Sequence, residues 1–361
     1  MSEFYIGIMS GTSLDGVDVA LCEIDKASLK LLASYEHPFP KELKEEVLEH
    51  IQEPSSLQQI GEMDVKLAEL FAAVVNLFLE NNSISRKSIK AIGLHGQTLW
   101  HEPNAAYPFS MQLGSGSVVA ARCGIDTVTD FRNSDIANGG EGAPFAPAFH
   151  KEIFGHLGED VGVVNIGGMA NISYLGKEVL GWDIGCGNVL LDTFMQRSQK
   201  KPYDKDGAFA QRGEVIMPLL QAMLKDDYFT KTPPKSTGRE YFNEAWLDKY
   251  LQNFDSLQDA NIQRTLLELT ASTIAKEANR LSLKELILCG GGAKNSFLYR
   301  RIQNLCCAKV SKSDAHGISS DFVEAMIFAW FAYKRVKREK ISLSSITGAK
   351  KASIHGAIYA F

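Results

Sequence analysis

Residues 4–21 read Phe4-Tyr5-Ile6-Gly7-Ile8-Met9-Ser10-Gly11-Thr12-Ser13-Leu14-Asp15-Gly16-Val17-Asp18-Val19-Ala20-Leu21. Alternating apolar positions and β-branched residues predict a strand over Tyr5–Met9 and a second over Val17–Leu21. Gly11 and Gly16 punctuate the polar turn between them. A turn carrying Ser10, Gly11, Thr12 and Ser13 can aim several backbone N–H groups and hydroxyls at one point, which is what a phosphate group needs. An ordinary hairpin turn is the competing reading. A Walker loop is excluded, because no Gly-Lys-Ser/Thr follows and the next element is a strand. Asp15 and Asp18 stand where a bound phosphate would sit, so a cation such as Mg²⁺ would have to lie between carboxylate and phosphate.

The chain has 361 residues, 45% hydrophobic and 22% charged, the make-up of a soluble globular protein long enough for two domains. Its formal charge of −5 argues against a nucleic-acid partner. No apolar run reaches the roughly 18–20 residues that span a bilayer, so no membrane partner is expected. No export signal opens the sequence. The six cysteines (Cys22, Cys123, Cys186, Cys289, Cys306, Cys307) lack CxxC spacing and lie mostly in apolar stretches. They read as reduced thiols of a cytoplasmic protein.

Strand and helix periods alternate along the chain. Strands are expected over 27–36, 89–94 and 125–130. Helices are expected over 41–51 and 56–81, with a small-residue helix over 112–124. The strand at 89–94 runs into His95-Gly96-Gln97-Thr98. The stretch Ala137–Pro147, whose Gly-rich loop carries two prolines, is the expected crossing between domains. The second half then repeats the opening. A strand at 161–166 meets the small-residue turn Gly167-Gly168-Met169-Ala170-Asn171 and a second extended run. A strand at 179–182 delivers Asp183, and another at 286–289 ends in Gly290-Gly291-Gly292. Helices are expected over 189–199, 214–225, 243–253, 262–281 and 321–338, and a last strand over 353–360 returns to the first domain. A repeat at half the chain length predicts two like α/β domains facing each other across a cleft.

These features resemble the actin, Hsp70 and sugar-kinase superfamily, and the opening Gly7–Asp18 resembles that of the anhydro-N-acetylmuramic acid kinase family. Later blocks agree in order: His95–Thr98 with His101-Glu102-Pro103, Asp130-Phe131-Arg132, Gly139–Pro147, Asn165–Gly168, Asp183–Asn188, Lys235–Glu240 and Cys289–Ala293. Members of the family often have proline where this chain has Cys186. The resemblance implies two actin-like (ribonuclease H-like) α/β lobes with mixed sheets and an ATP cleft between them. The first would span residues 1–130 plus about 340–361, and the second 131–339. It further implies ATP with Mg²⁺, a homodimer, and hydrolytic opening of 1,6-anhydro-N-acetylmuramic acid with phosphorylation of O6. A chaperone or filament of the same superfamily would need a peptide-binding domain or long surface insertions, for which this chain has no room.

Site expectations follow from strand ends and from the resemblance. Asp183, at the end of a strand and followed by glycines, is the expected base; capping the next helix is its other reading. Phosphate contacts are expected from Gly11, Thr12, Ser13, Leu14, Asp15, Gly16, Val17 and Asp18 on one side and Gly167, Gly168 and Asn171 on the other. Gly290, Gly291, Gly292 and Asn295 open a helix and suit the nucleoside or α-phosphate, although a glycine run there can serve packing alone. Arg132 matches a carboxylate bidentately, or else pairs with Asp130 or Asp135. His95, Gln97, Thr98 and Asp130 are expected sugar contacts. Glu324 is either a further sugar contact or a solvated helix-start acid.

Overall fold

The computed structural model describes residues 2–11, 14–26, 28–254 and 256–361. It divides into two compact units: Met1–Ile153 with Phe322–Phe361, and Phe154–Asp321. The first unit begins with strands β1 (Glu3–Met9), β2 (Gly16–Ile24), β3 (Leu29–Pro38), β4 (Ile89–Leu94), β5 (Gln97–Glu102), β6 (Phe109–Leu113) and β7 (Thr127–Thr129). The second holds β8 (Val161–Ile166), β9 (Met169–Leu175), β10 (Val179–Cys186), β11 (Glu285–Cys289) and β12 (Lys309–Lys312). The chain returns to the first unit with β13 (Ala357–Tyr359).

The two main sheets share one plan. The first has the order β13-β7-β4-β1-β2-β3 and the second β10-β9-β8-β11-β12. In each, three strands form an antiparallel meander, and two later strands run parallel to its first member. This is the actin-like, ribonuclease H-like topology, present twice. Parallel strands end on the same edge, so Ser10, His95 and Asp130 emerge together in one unit, as do Gly167 and Gly290 in the other.

Helices cover both faces of the first sheet. Ile6, Ile8, Val17, Val19, Ile92 and Leu94 pack with Met63, Leu67, Phe71, Val74 and Phe78 of the helix Leu57–Asn81. That helix starts with a full capping box between Ser56 and Gln59. The opposite face carries the helix Val323–Val336, buried over most of its length. It can lie so close only because Gly7 and Gly93 have no side chains. A Cβ on Gly7 would stand 1.8 Å from the Ala325 carbonyl oxygen, and one on Gly93 would stand 2.0 Å from that of Phe328.

Several boundaries differ from the sequence reading. The segments 131–153 and 322–339, expected in the second lobe, pack in the first unit. Aromatic side chains join them: Phe131 lies 5.2 Å from Phe331, Phe145 4.8 Å from Phe331, and Phe149 5.9 Å from Trp330 between ring centres. The Gly139–Pro147 loop is therefore internal to that unit and not the crossing. The fully buried Asp135 holds it, accepting the Gly142 amide at 2.8 Å and the Thr347 hydroxyl at 3.0 Å. The helix expected from Gln112 begins only at Gly116, because Gln112 belongs to β6 opposite Thr98, and Gly114, at φ +118°, ends the strand. Cys22, Cys123, Cys186 and Cys289 are buried free thiols, Cys306 is half-buried and Cys307 exposed.

Candidate active site

The polar groups at the strand ends form one constellation in each unit. In the first, the buried Ser10 hydroxyl donates to Gln97 Oε1 at 2.8 Å, tying the opening turn to the start of β5. Gly11 accepts the Leu14 amide at 3.1 Å, and Leu14 adopts a left-handed φ of +52° with its side chain fully buried. Val17 is equally buried, so these two residues can offer a ligand only backbone groups. Thr12 and Ser13 lie outside the described residues. Asp15 pairs with Lys44 at 3.2 Å, and Asp18 sits in β2 opposite Met9 and Glu36.

His95 and Arg132 are brought together. Arg132 Nε donates to His95 Nε2 at 3.0 Å, which places the imidazole proton on Nδ1. His95 is buried against the Phe328 ring, 4.7 Å between centres. Burial, then the Arg132 charge, lowers its pKa to about 3, so the ring is a neutral acceptor throughout the physiological range. The Arg132 fork is thereby oriented with Nη groups left over for an anion. Glu324 is exposed to solvent at one edge, yet protein crowds it elsewhere; burial raises its pKa, and the Arg132 charge opposes that rise. Asp130 and Asp135 are engaged otherwise than with Arg132, Asp130 by Asn133 and Asp135 by the Gly142 amide and the Thr347 hydroxyl.

Asp130 holds a left-handed backbone, φ +62° and ψ +38°, at the start of the helix Phe131–Ile136. Its Oδ1 accepts from Asn133 at 2.8 Å. Asn133 also exchanges two hydrogen bonds with the Ser110 backbone, 2.9 and 2.8 Å, clamping the β5–β6 hairpin beside Arg132. Thr98 Oγ1 accepts from Gln112 at 3.3 Å. Asn133 and Gln112 were missed by strand-end reasoning, because only the hairpin pairing reveals them.

In the second unit, Asn165, Asn171 and Asp183 stand in one cross-strand row. Side chains in such a row share a face, so the Asn171 carboxamide stands next to the Asp183 carboxylate and Asn165 one strand farther on. Just beyond Asp183 the β9–β10 register shifts, and Gly185 takes a φ of +155°. A bulge of this kind re-aims the side chains beside it. Asp183 Oδ2 accepts the Thr237 amide at 3.0 Å and the Ser236 hydroxyl at 3.1 Å. It does not cap the following helix, whose N-cap is Asn188. Burial raises the Asp183 pKa, the two hydrogen bonds oppose that, and Glu240 adds to the rise. The result is a positioned carboxylate more basic than a free one.

Gly167 and Gly168 form the turn between β8 and β9, and their carbonyls are occupied. Gly168 O accepts from the Gly187 and Val189 amides at 2.9 and 3.0 Å, and Gly167 O accepts from the Asn188 amide at 2.8 Å. Gly187 has to be glycine, since a Cβ there would lie 2.4 Å from Gly167 O. The Arg239 guanidinium comes within 3.8 Å of where a Gly168 Cβ would be. Arg239 also faces Asp192, whose pKa burial pushes up to about 6 while the guanidinium opposes the shift and Asp204 adds to it. A loop arginine with a distant partner gave no local signal in the sequence.

Gly290, at φ +80°, turns the chain under Asn165, and a Cβ there would meet Asn165 Oδ1 at 2.1 Å. Gly291 is open and Gly292 buried. Asn295 caps the helix Ser296–Leu305, accepting the Leu298 amide at 3.0 Å, so its carboxamide oxygen is committed to the fold. Among the described residues no group of three or more His, Cys, Asp or Glu could hold a metal on its own. Nor is any described helix long and apolar enough to cross a membrane.

Known proteins match this arrangement over its whole length. The family model for anhydro-N-acetylmuramic acid kinase covers residues 3–361. A relative of that name from Sulfurovum sp. (strain NBC37-1) is 54% identical over 360 residues, spanning 99% of both chains. Another, from Sulfurimonas denitrificans, is 50% identical over 367 residues, spanning 99% of this chain and 100% of its own. Among solved structures, a ROK family glucokinase from Streptomyces griseus, in complex with glucose and AMPPNP, aligns with a TM-score of 0.43 at 14% identity, covering 92% of this chain and 99% of that one. Sequence, paired strand-end sites and full-length match converge: this chain belongs to the anhydro-N-acetylmuramic acid kinase family.

Proposed function

We propose that the protein opens 1,6-anhydro-N-acetylmuramic acid with water while transferring the γ-phosphoryl of ATP to O6, giving N-acetylmuramic acid 6-phosphate and ADP. The observation that carries the mechanism is Asp183, a carboxylate raised in pKa by burial and held by Ser236 and Thr237. Asp183 accepts a proton from water as its oxygen attacks C1. The C1–O6 bond breaks, and the electron pair left on O6 attacks the γ-phosphorus in line, displacing ADP. The leaving oxygen takes a phosphoryl group in place of a proton, so no second acid is needed, in contrast to an inverting glycosidase. The proton on Asp183 passes to solvent.

The first constellation suits the sugar. Arg132, oriented by His95, pairs with the lactyl carboxylate. Gln97, Thr98, Asp130 and Glu324 supply hydrogen-bond partners for the remaining polar groups. Backbone amides of the Gly11–Gly16 turn and of Gly168 receive phosphate, the Gly167 amide being held by Met169 O at 3.0 Å, with Asn171 beside Asp183. The Gly290–Gly292 turn receives the nucleoside side of ATP, and Arg239 supplies positive charge near Gly168. Asp15, which also pairs with Lys44, and Asp18 are the carboxylates that would hold Mg²⁺ through water. Such an ion would neutralise phosphate charge. The buried free thiols fit a cytoplasmic enzyme of murein recycling and amino-sugar catabolism, and the homodimer is testable by light scattering.

The test is a product assay in isotopically labelled water. Label at C1 and phosphate at O6 are expected with wild type. Asp183→Asn should bind ATP normally and turn over at less than about a thousandth of the wild-type rate; near-normal turnover would remove Asp183 from the mechanism.

A further inference from the structure

Asp183 is held from behind by a buried aromatic cluster that the reaction itself does not use. Its backbone amide donates to Lys235 O at 3.0 Å, and its backbone carbonyl accepts the Tyr228 hydroxyl at 2.9 Å. Lys235 places its ammonium over the Tyr228 ring, 4.7 Å from the centre, and donates to Tyr228 O at 3.3 Å. The loop that reaches the Asp183 carboxylate through Ser236 and Thr237 is therefore tied to Tyr228 at Lys235.

Tyr228 is in turn fixed by Asp226. This carboxylate is almost wholly buried and accepts four hydrogen bonds: the Tyr228 amide at 3.0 Å, the Tyr241 hydroxyl at 2.7 Å, Trp246 Nε1 at 2.9 Å and the Tyr250 hydroxyl at 2.9 Å. Both oxygens are saturated by neutral donors, so a buried charge persists with no cation paired to it. Tyr228 and Tyr241 thus bracket the Lys235–Glu240 loop at its two ends. A core that needed only volume could fill this place with apolar residues more cheaply.

We propose that Tyr228, anchored by the buried Asp226, is a positioning residue for Asp183, setting the strand end and the Ser236–Thr237 loop in the geometry that the base requires. The proposal rests on Asp183 being the base, and the experiment separates the two ideas. Three variants of the full chain are compared with wild type and with Asp183→Asn: Tyr228→Phe, which deletes the one oxygen that touches Asp183; Tyr250→Phe, which deletes a donor to the same Asp226 carboxylate on the far side; and Asp226→Asn, which exchanges an acceptor for a donor. The readouts are kcat, KM for each substrate, the acidic limb of the kcat–pH profile and the thermal midpoint.

Tyr228→Phe should lower kcat roughly tenfold with both KM values within about twofold, the scale of one lost hydrogen bond. Its acidic limb should move up by roughly half a pH unit, because Ser236 and Thr237 then stabilise the Asp183 carboxylate less while burial and Glu240 still oppose it. Tyr250→Phe should lower the thermal midpoint and leave kcat and the limb unchanged. Asp226→Asn, where it folds, should show both effects. A wild-type kcat and limb in Tyr228→Phe, with Asp183→Asn inactive, would overturn the positioning role alone. Equal kcat losses in Tyr228→Phe and Tyr250→Phe would overturn it too, by showing general loosening. An active Asp183→Asn would instead remove the base assignment.

Discussion

The two units share a strand plan but use its open edge differently. In the first, the edge carries Arg132 and His95, whose ring packs on Phe328 of the helix Val323–Val336, and the same helix brings Glu324 within the field of Arg132. In the second, it carries two carboxamides and a carboxylate in a strand row, surrounded by glycine turns and steadied by a loop. Topology determined where a site could form, at the ends of parallel strands. Local residues decided what chemistry that place could do. On the function proposed above, one fold yields an anion-binding edge and a proton-accepting edge.

The sharpest way to break this contrast is at Asp183. Loss of about three decades in kcat on Asp183→Asn, with ATP affinity retained, is expected only if the second edge does the proton work. Next comes packing. Gly93→Ala should destabilise the protein by roughly 3 kcal/mol, because its methyl would strike the rigid Phe328 carbonyl. Gly162→Ala, in the second unit, meets the flexible end of Leu283 and should cost less than about 1 kcal/mol. Thermal or denaturant unfolding measures both, and equal losses would contradict the reading that Gly93 admits the backbone of the helix Val323–Val336.

A smaller effect, about 2 kcal/mol or roughly thirtyfold in KM for the anhydro-sugar, is expected for Arg132→Ala, with KM for ATP unchanged. Arg132→Lys should recover only part of it, since an ammonium cannot reproduce the fork. The pH term is of a different kind. His95 has a folded pKa of about 3, below the ordinary 6.5, so the folded state resists protonation. Its neutral form contributes stability that is complete above the unfolded pKa and is lost as pH falls from about 6.5 toward 3, at up to about 1.4 kcal/mol per pH unit. His95→Gln should flatten stability across that window, as read by urea midpoints between pH 4 and 7. It should not create a kinetic limb near neutrality, because His95 carries no charge there.

Much of the site was legible from residue order. Apolar alternation ending in glycine or in Asp, His and Asn marked nearly every functional strand end. Apolar positions at helical spacing marked the long helix over 56–81. What escaped were residues whose importance depends on distant partners. Asn133 matters through Ser110, Arg239 through Gly168, and Asp226 through four groups from 2 to 24 residues away along the chain. The Gly139–Pro147 loop looked like a linker because glycine and proline punctuate linkers and tight buried turns alike. The contact of Asp135 with Thr347 distinguishes the two, across 212 residues of sequence.

By itself, then, the sequence determined the repeated α/β plan, the family and the place of the Asp183 carboxylate at the end of its strand, since these reside in short-range periodicity and in turn residues adjacent along the chain. Only the tertiary structure decided where the units divide, which tautomer His95 adopts and what holds Asp183 in place. Those depend on burial and on hydrogen bonds closed between distant segments, and a one-dimensional pattern carries no record of either.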